Sequence, residues 1–155
     1  MHIFCLDYTV SVSKSYPLRV QNKLTTSEDV IGLPFQDGGR GNPGYDCWGL
    51  TKELFRRQGI RLKEYTCNSE DTAAVAGYME DLRQYWHRLE EPRIGCLVAV
   101  RMLDTGWVNH CGVYLGYGRF IHAYCEETGV VVDRIRRWGP RIIGYYWPTG
   151  AAYET

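Results

Sequence analysis

Cys47 stands where a glycine-rich run, residues 37–45, meets a helix-compatible stretch, residues 47–58. A thiol at that junction lies in the first turn of a helix. There the unpaired N–H groups and the helix dipole favour negative charge. The thiolate is the nucleophilic form of cysteine, so the position suits covalent chemistry. Downstream, His110 and His122 flank Gly116-Tyr117-Gly118 in a segment that alternates like a β-hairpin. A thiol nucleophile needs a base to take its proton and return it to a leaving amine, and that base needs a second group to hold its tautomer. Cys47, His110 and His122 supply such a set, with His110 as base and His122 as orienter. The Cys47 backbone N–H is the expected oxyanion donor, with a further donor beside it.

The hairpin register decides whether the histidines can act together. A three-residue loop at 116–118 sets Gly112 opposite His122 and His110 opposite Tyr124. One strand face then carries His110, Gly112, Tyr114, Phe120, His122 and Tyr124. The other carries Cys111, Val113, Leu115, Ile121, Ala123 and Cys125, and it is apolar enough to be core. In this register the histidines are diagonal neighbours, roughly 7 Å apart at Cβ. Gly112 leaves room beside them. A two-residue loop would place them on opposite faces.

Other readings of these residues are available. A cysteine near a helix start is often an inert buried hydrophobe, and two histidines on one strand face can be a packing detail. Cys47, His110, His122 and one of Cys111 or Cys125 could make four zinc ligands, but no C-x-x-C pair is present and both extra cysteines point away from the histidines in the register above. The run 38–44 lacks the Gly-Lys-Ser/Thr ending of a phosphate loop. Arg134, Arg136, Arg137 and Arg141 read as a solvated edge rather than an anion site. No metal or cofactor is implied.

The elements that must position the set follow from periodicity. Ser27-Glu28-Asp29 can open a short helix that stops before Pro34. Asp46 is placed to cap the helix after it, Leu50, Leu54 and Phe55 form its apolar face, and Gly59 stops it. Asn68 to Asp71 can start a second helix, with Val75, Tyr78, Met79, Leu82, Tyr85, Trp86 and Leu89 as its buried stripe and His87 at its surface. After Pro92 the period changes to two, giving candidate strands at 95–103, 109–115, 119–125, 130–135 and 141–146. Short turns between them make the sheet antiparallel, and helices before strands make the chain α+β. Residues 1–26 are hard to read: Tyr8 to Val12 alternates like a strand, but Ser13 to Pro17 breaks it.

The length of 155 residues fits one domain, 1–155. Eighteen basic residues balance eighteen acidic ones, so charge makes no case for nucleic acid. No apolar run is long enough for a membrane span. The first residues lack a basic region and a long apolar core, so no signal peptide is expected and the chain is taken to be made in the cytoplasm. The six cysteines show no framework spacing, and a chain of this length does not need disulfides.

Taken together, Ile31-Gly32-Leu33-Pro34-Phe35, Gly38-Gly39, Tyr45-Asp46-Cys47-Trp48-Gly49-Leu50, Asn109-His110-Cys111-Gly112-Val113-Tyr114-Leu115-Gly116 and Arg119-Phe120-Ile121-His122-Ala123 resemble the NlpC-type cell-wall peptidases. These are papain-like cysteine enzymes of bacteria and their phages, and the resemblance covers roughly residues 27–148. It implies a papain-like α+β fold, with N-terminal helices packed on a five- to six-stranded antiparallel sheet. It implies Cys47 as nucleophile, His110 as base and His122 as third triad member. The substrate it implies is a peptidoglycan stem peptide, cut between D-γ-glutamate and a diamino acid. Asp46 matches a residue that helps hold the substrate's amino group, and Tyr45, Phe35 and Trp48 are expected to line the same pocket. Many members carry tyrosine in place of Phe35 and serine in place of Trp48, which sets this pocket apart. Cys96 stands where an aspartate often follows the glycine and reads as structural. The Trp48 form of the motif, with Val131-Val132-Asp133-Arg134 and Gly144-Tyr145-Tyr146, looks like the phage tail assembly branch, which implies tail-tip proteins as partners and the virion as location. The competing expectations are a tail module of this fold with weak catalysis, and an amidase with another amide substrate.

Overall fold

In the computed structural model, the described residues are 27–65, 73, 74, 77, 80, 84–102 and 108–150. A 3-10 turn, Ser27–Val30, precedes an irregular segment that leads into helix α1, Cys47–Arg57. Six strands follow: β1 Trp86–Leu89, β2 Leu97–Val100, β3 His110–Gly116, β4 Arg119–Ala123, β5 Val130–Arg134 and β6 Ile142–Pro148. A one-turn helix, α2 (Ile135–Trp138), leaves β5 directly. The strands form one antiparallel sheet in the order β1-β6-β2-β3-β4-β5.

α1 forms where the sequence places it. The Asp46 carboxylate accepts the Gly49 N–H at 2.6 Å as N-cap, and Gly59, at φ +85°, ends the helix. Leu50, Leu54 and Phe55 are buried and press the helix onto the sheet. The core under α1 includes Cys111, Val113, Ile121 and Ala123, the face expected to be apolar. On the opposite face Phe120 packs with Val98, Val100 and Trp138. The alternation of side chains along each strand makes these two faces separate environments.

The β3–β4 hairpin keeps the expected register by a different device. Val113 pairs with Ile121 and Tyr114 with Phe120, but Gly116 pairs with Arg119. The turn is therefore the two residues Tyr117-Gly118. A bulge at Leu115 supplies the extra residue that holds both histidines on one face. Gly112 is obligatory there: a Cβ would stand 2.6 Å from the Ile121 carbonyl oxygen and 2.9 Å from the His122 Cβ.

One expected element is corrected. Trp86 and Leu89 do not close a helical stripe; they belong to strand β1, which pairs with β6. The described residues 73, 74, 77, 80 and 84 are helical, and Tyr85 is a turn residue before the strand. A tryptophan and a leucine three residues apart fit the helical period, whereas in a strand they fall on opposite faces. Pairing with Tyr145–Pro148 and an edge-on contact of Trp86 with Phe55 (5.6 Å) decide it. His87 is exposed on this strand. Val75, Tyr78, Met79 and Leu82, like residues 1–26, lie outside the described residues.

Candidate active site

At the Cys47 end of the site, the irregular segment is laid across the helix start. Gly49 has no room for a side chain, because a Cβ would overlap the Gly39 carbonyl oxygen. The Asp46 N–H donates to that same carbonyl at 3.3 Å. Arg40 ties the arrangement down: its Nη1 donates to Asp46 Oδ2 at 2.8 Å, and its other nitrogens donate to Glu64, which also receives Lys52 at 2.9 Å. Both Asp46 oxygens are thus engaged, one by the helix and one by Arg40. Burial pushes the Asp46 carboxyl up, and the Gly49 N–H and Arg40 oppose the shift.

Cys47 is half-buried at the first position of α1. Its thiol is held well below the ordinary range. The largest influence is a hydrogen bond from the Cys111 side chain; burial opposes it, and a hydrogen bond and positive charge from His110 reinforce it. Cys111 is pushed the other way by Cys47 and by its own burial, so it stays a thiol and donates. Its Sγ lies 3.3 Å from Thr51 Oγ1 and 3.6 Å from the Cys47 carbonyl oxygen. Thr51 Oγ1 in turn donates to the Cys47 carbonyl at 2.8 Å.

The histidines come together as the register requires. His110 Nε2 and His122 Nδ1 are 2.8 Å apart, which leaves Nδ1 of His110 for the thiol. His122 is fully buried, stacked on Phe120 (4.4 Å) and met edge-on by Trp138 (5.1 Å). Trp138 also stacks over His110 at 6.2 Å. Burial, then the nearby His110, pulls the His122 ring down to about 3, with Asp133 opposing. His122 is accordingly a neutral hydrogen-bond partner rather than a second cation. Its Nε2 lies 3.1 Å from Asp133 Oδ2, and the Trp138 indole donates to the same oxygen at 3.2 Å.

The structure therefore gathers Cys47, His110 and His122. It places Tyr45, Asp46 and Trp48 among buried residues and leaves Phe35 half-buried, backbone-bridged to Tyr45. Trp48 packs into the core, edge-on to Tyr65 at 5.6 Å. Cys96 is buried and pushed up to about 12 by desolvation, as a structural thiol would be. The zinc alternative does not fit, since the two histidine nitrogens face each other instead of converging on a third point. Among the described residues no histidine, cysteine and carboxylate group could hold a metal ion.

Three members of the site were not anticipated: Cys111, Asp133 and Trp138. Cys111 lies in the core, on the strand face expected to be apolar. The helix that covers that core also carries Cys47, so one side chain serves both. Asp133 needed the β4–β5 register, in which it opposes Phe120 and so shares the face of His122. The six residues 124–129 between those strands form no simple turn from which that register could be read.

A cysteine at a helix start facing a histidine pair on an antiparallel sheet defines the papain-like α+β class of thiol hydrolase architecture. Within that class the chain belongs to the NlpC/P60 family, whose model matches residues 32–145. It is 26% identical over 129 residues to the probable peptidoglycan endopeptidase LytE of Bacillus subtilis, covering 82% of this chain and 34% of the relative. It is 25% identical over 130 residues to the gamma-D-glutamyl-L-lysine dipeptidyl-peptidase of the same organism, covering 79% of this chain and 40% of that one. The chain thus spans well under half the length of either relative. Among solved structures, an NLP/P60 family protein of Staphylococcus aureus superposes with a TM-score of 0.61 at 24% identity, covering 87% of this chain and 43% of the other. That likeness concerns the fold.

Proposed function

We propose that this protein is a cysteine endopeptidase that cuts peptide bonds in peptidoglycan stem peptides, with Cys47, His110 and His122 as its triad. The observation that carries the reading is the Cys47 thiol, acidified at a helix start and facing a histidine whose far nitrogen is 2.8 Å from a second, neutral histidine. The names of the relatives support the substrate class. One of them is a gamma-D-glutamyl-L-lysine dipeptidyl-peptidase, which favours a bond between D-γ-glutamate and a diamino acid.

The geometry performs acyl transfer in two halves. The Cys47 thiolate attacks the scissile carbonyl carbon, forming a C–S bond. The resulting oxyanion is met by the Cys47 N–H, a first-turn donor that no intrahelical carbonyl uses. His110 gives its Nδ1 proton to the leaving amine as the C–N bond breaks, and a thioester remains. His110 then takes a proton from water, which attacks the thioester and releases the acid and the Cys47 thiolate. Throughout, His122 Nδ1 accepts from His110 Nε2, holding the ring in line.

The test is hydrolysis of purified murein and of synthetic stem peptides. Wild type should release fragments with new amino termini, and Cys47→Ala should release none. Equal activity in the variant overturns the assignment. The placement at a phage tail tip is a further proposal that rests on the sequence resemblance; mass spectrometry of purified virions tests it, and a virion lacking the chain rejects it.

A further inference from the structure

We propose that Asp133 is a positioning residue for this reaction: its carboxylate selects the tautomer of His122 and thereby the donor and acceptor roles along the chain to Cys47. The inference rests on the peptidase reading above and adds a fourth member to its site.

A carboxylate oxygen accepts hydrogen bonds and donates none. Asp133 Oδ2 lies 3.1 Å from His122 Nε2, so that nitrogen carries the proton. A neutral imidazole has one N–H, and His122 Nδ1 is then a bare acceptor. It lies 2.8 Å from His110 Nε2, which must donate to it. With that proton held, His110 gains its catalytic proton on Nδ1, the nitrogen that faces the thiol. The opposite tautomer of His122 would set two N–H groups against each other and a lone pair against the carboxylate. Fixing a histidine tautomer through its second nitrogen is a general function of a carboxylate partner.

Asp133 is itself fixed for this purpose. Trp138 Nε1 donates to Oδ2 at 3.2 Å and Arg137 Nη1 to Oδ1 at 3.3 Å. Asp133 sits in β5 two residues before α2, so the segment that supplies the carboxylate also supplies its two donors. The Trp138 ring stacks over His110 and meets His122 edge-on, and both histidines are buried away from water that would compete for these bonds. The titratable or charged groups facing His122 are His110 from β3, Asp133 from β5 and Tyr124 just beyond β4, with Arg137 reaching it only through Asp133. Phe120 and Trp138 complete the enclosure without charge. Among the described residues Asp133 is therefore the one carboxylate in a position to set the tautomer.

The experiment compares Asp133→Leu and Asp133→Glu with wild type in hydrolysis of a synthetic stem peptide across pH. Loss of the acceptor in Asp133→Leu should lower kcat by about 10–100-fold, the scale seen for carboxylate partners of metal-bound histidines, with KM nearly unchanged. The acid limb of the profile should move to higher pH, because the thiolate loses support from a correctly held His110. Asp133→Glu should recover part of both. A purely structural role would lower the melting temperature and leave the limb in place, and a folded Asp133→Leu with the wild-type limb and rate overturns the proposal. Should that variant fail to fold, nitrogen NMR of the wild-type protein decides: His122 protonated on Nε2 is expected, and protonation on Nδ1 overturns it. Failure of the peptidase reading looks different, since Cys47→Ala would then keep its activity whatever Asp133 does.

Discussion

The two ends of the site are built from opposite materials. Around Cys47 the holding groups are charged and partly exposed: Arg40 joins Asp46 and Glu64, and Lys52 joins Glu64, all within reach of water. Around His110 and His122 they are aromatic and dry, with one carboxylate admitted at the far edge. The difference follows from what each end must do. A thiol at a helix start needs that start held fixed, which the ion pairs and the N–H groups around Asp46 supply. A histidine relay needs a definite tautomer, and that is defined only where water cannot donate or accept in its place. The nucleophile's end should therefore respond to salt, and the histidine end to pH.

The largest expected effect is acid instability. His122 has its folded value depressed from 6.5 to about 3, so below 6.5 the unfolded chain takes a proton that the folded chain refuses. The stability is present above that point and is lost as pH falls toward 3, on the order of a few kcal/mol. Melting temperatures measured over this range should fall for the wild type, and His122→Gln should flatten the slope; parallel curves would remove His122 as the cause. Next is Gly112→Ala. The added methyl meets the Ile121 carbonyl and the His122 Cβ, and overpacking of this kind costs about 1–3 kcal/mol. Denaturant unfolding should report that loss, and an unchanged midpoint would mean the strands can part there. The smallest effect belongs to the charged end. Arg40→Met should lose about 0.5–1 kcal/mol, and the loss should fade in high salt because exposed ion pairs are screened. A salt-independent loss would show that Arg40 acts by packing, and would erase the contrast between the two ends.

Much of this site was legible one segment at a time. Cys47 after a glycine-rich run, Asp46 as cap and Gly59 as stop are local features, and each appears as expected because helix ends are governed by residues within one turn. The shared face of His110 and His122 was also legible, since strand period and turn length fix it. The bulge at Leu115 shows that the same answer was reached by another turn. Trp86–Leu89 misled because its apolar spacing continues the helical period, and only the partner strand β6 overrides it. Asp133, in a stretch that reads as an ordinary strand end, carries no local mark of its role.

Sequence by itself determined the place of Cys47 at a helix start, the shared face of the two histidines and the family, because short-range periodicity and capping are written in adjacent residues. Only the tertiary structure decided what tunes them. Cys111 acidifies Cys47 across the helix–sheet core, and Asp133 reaches His122 across a strand pair joined by an irregular turn. Both contacts depend on how separate elements pack and register, and hydrogen bonds act over a few ångströms of space whatever the distance along the chain.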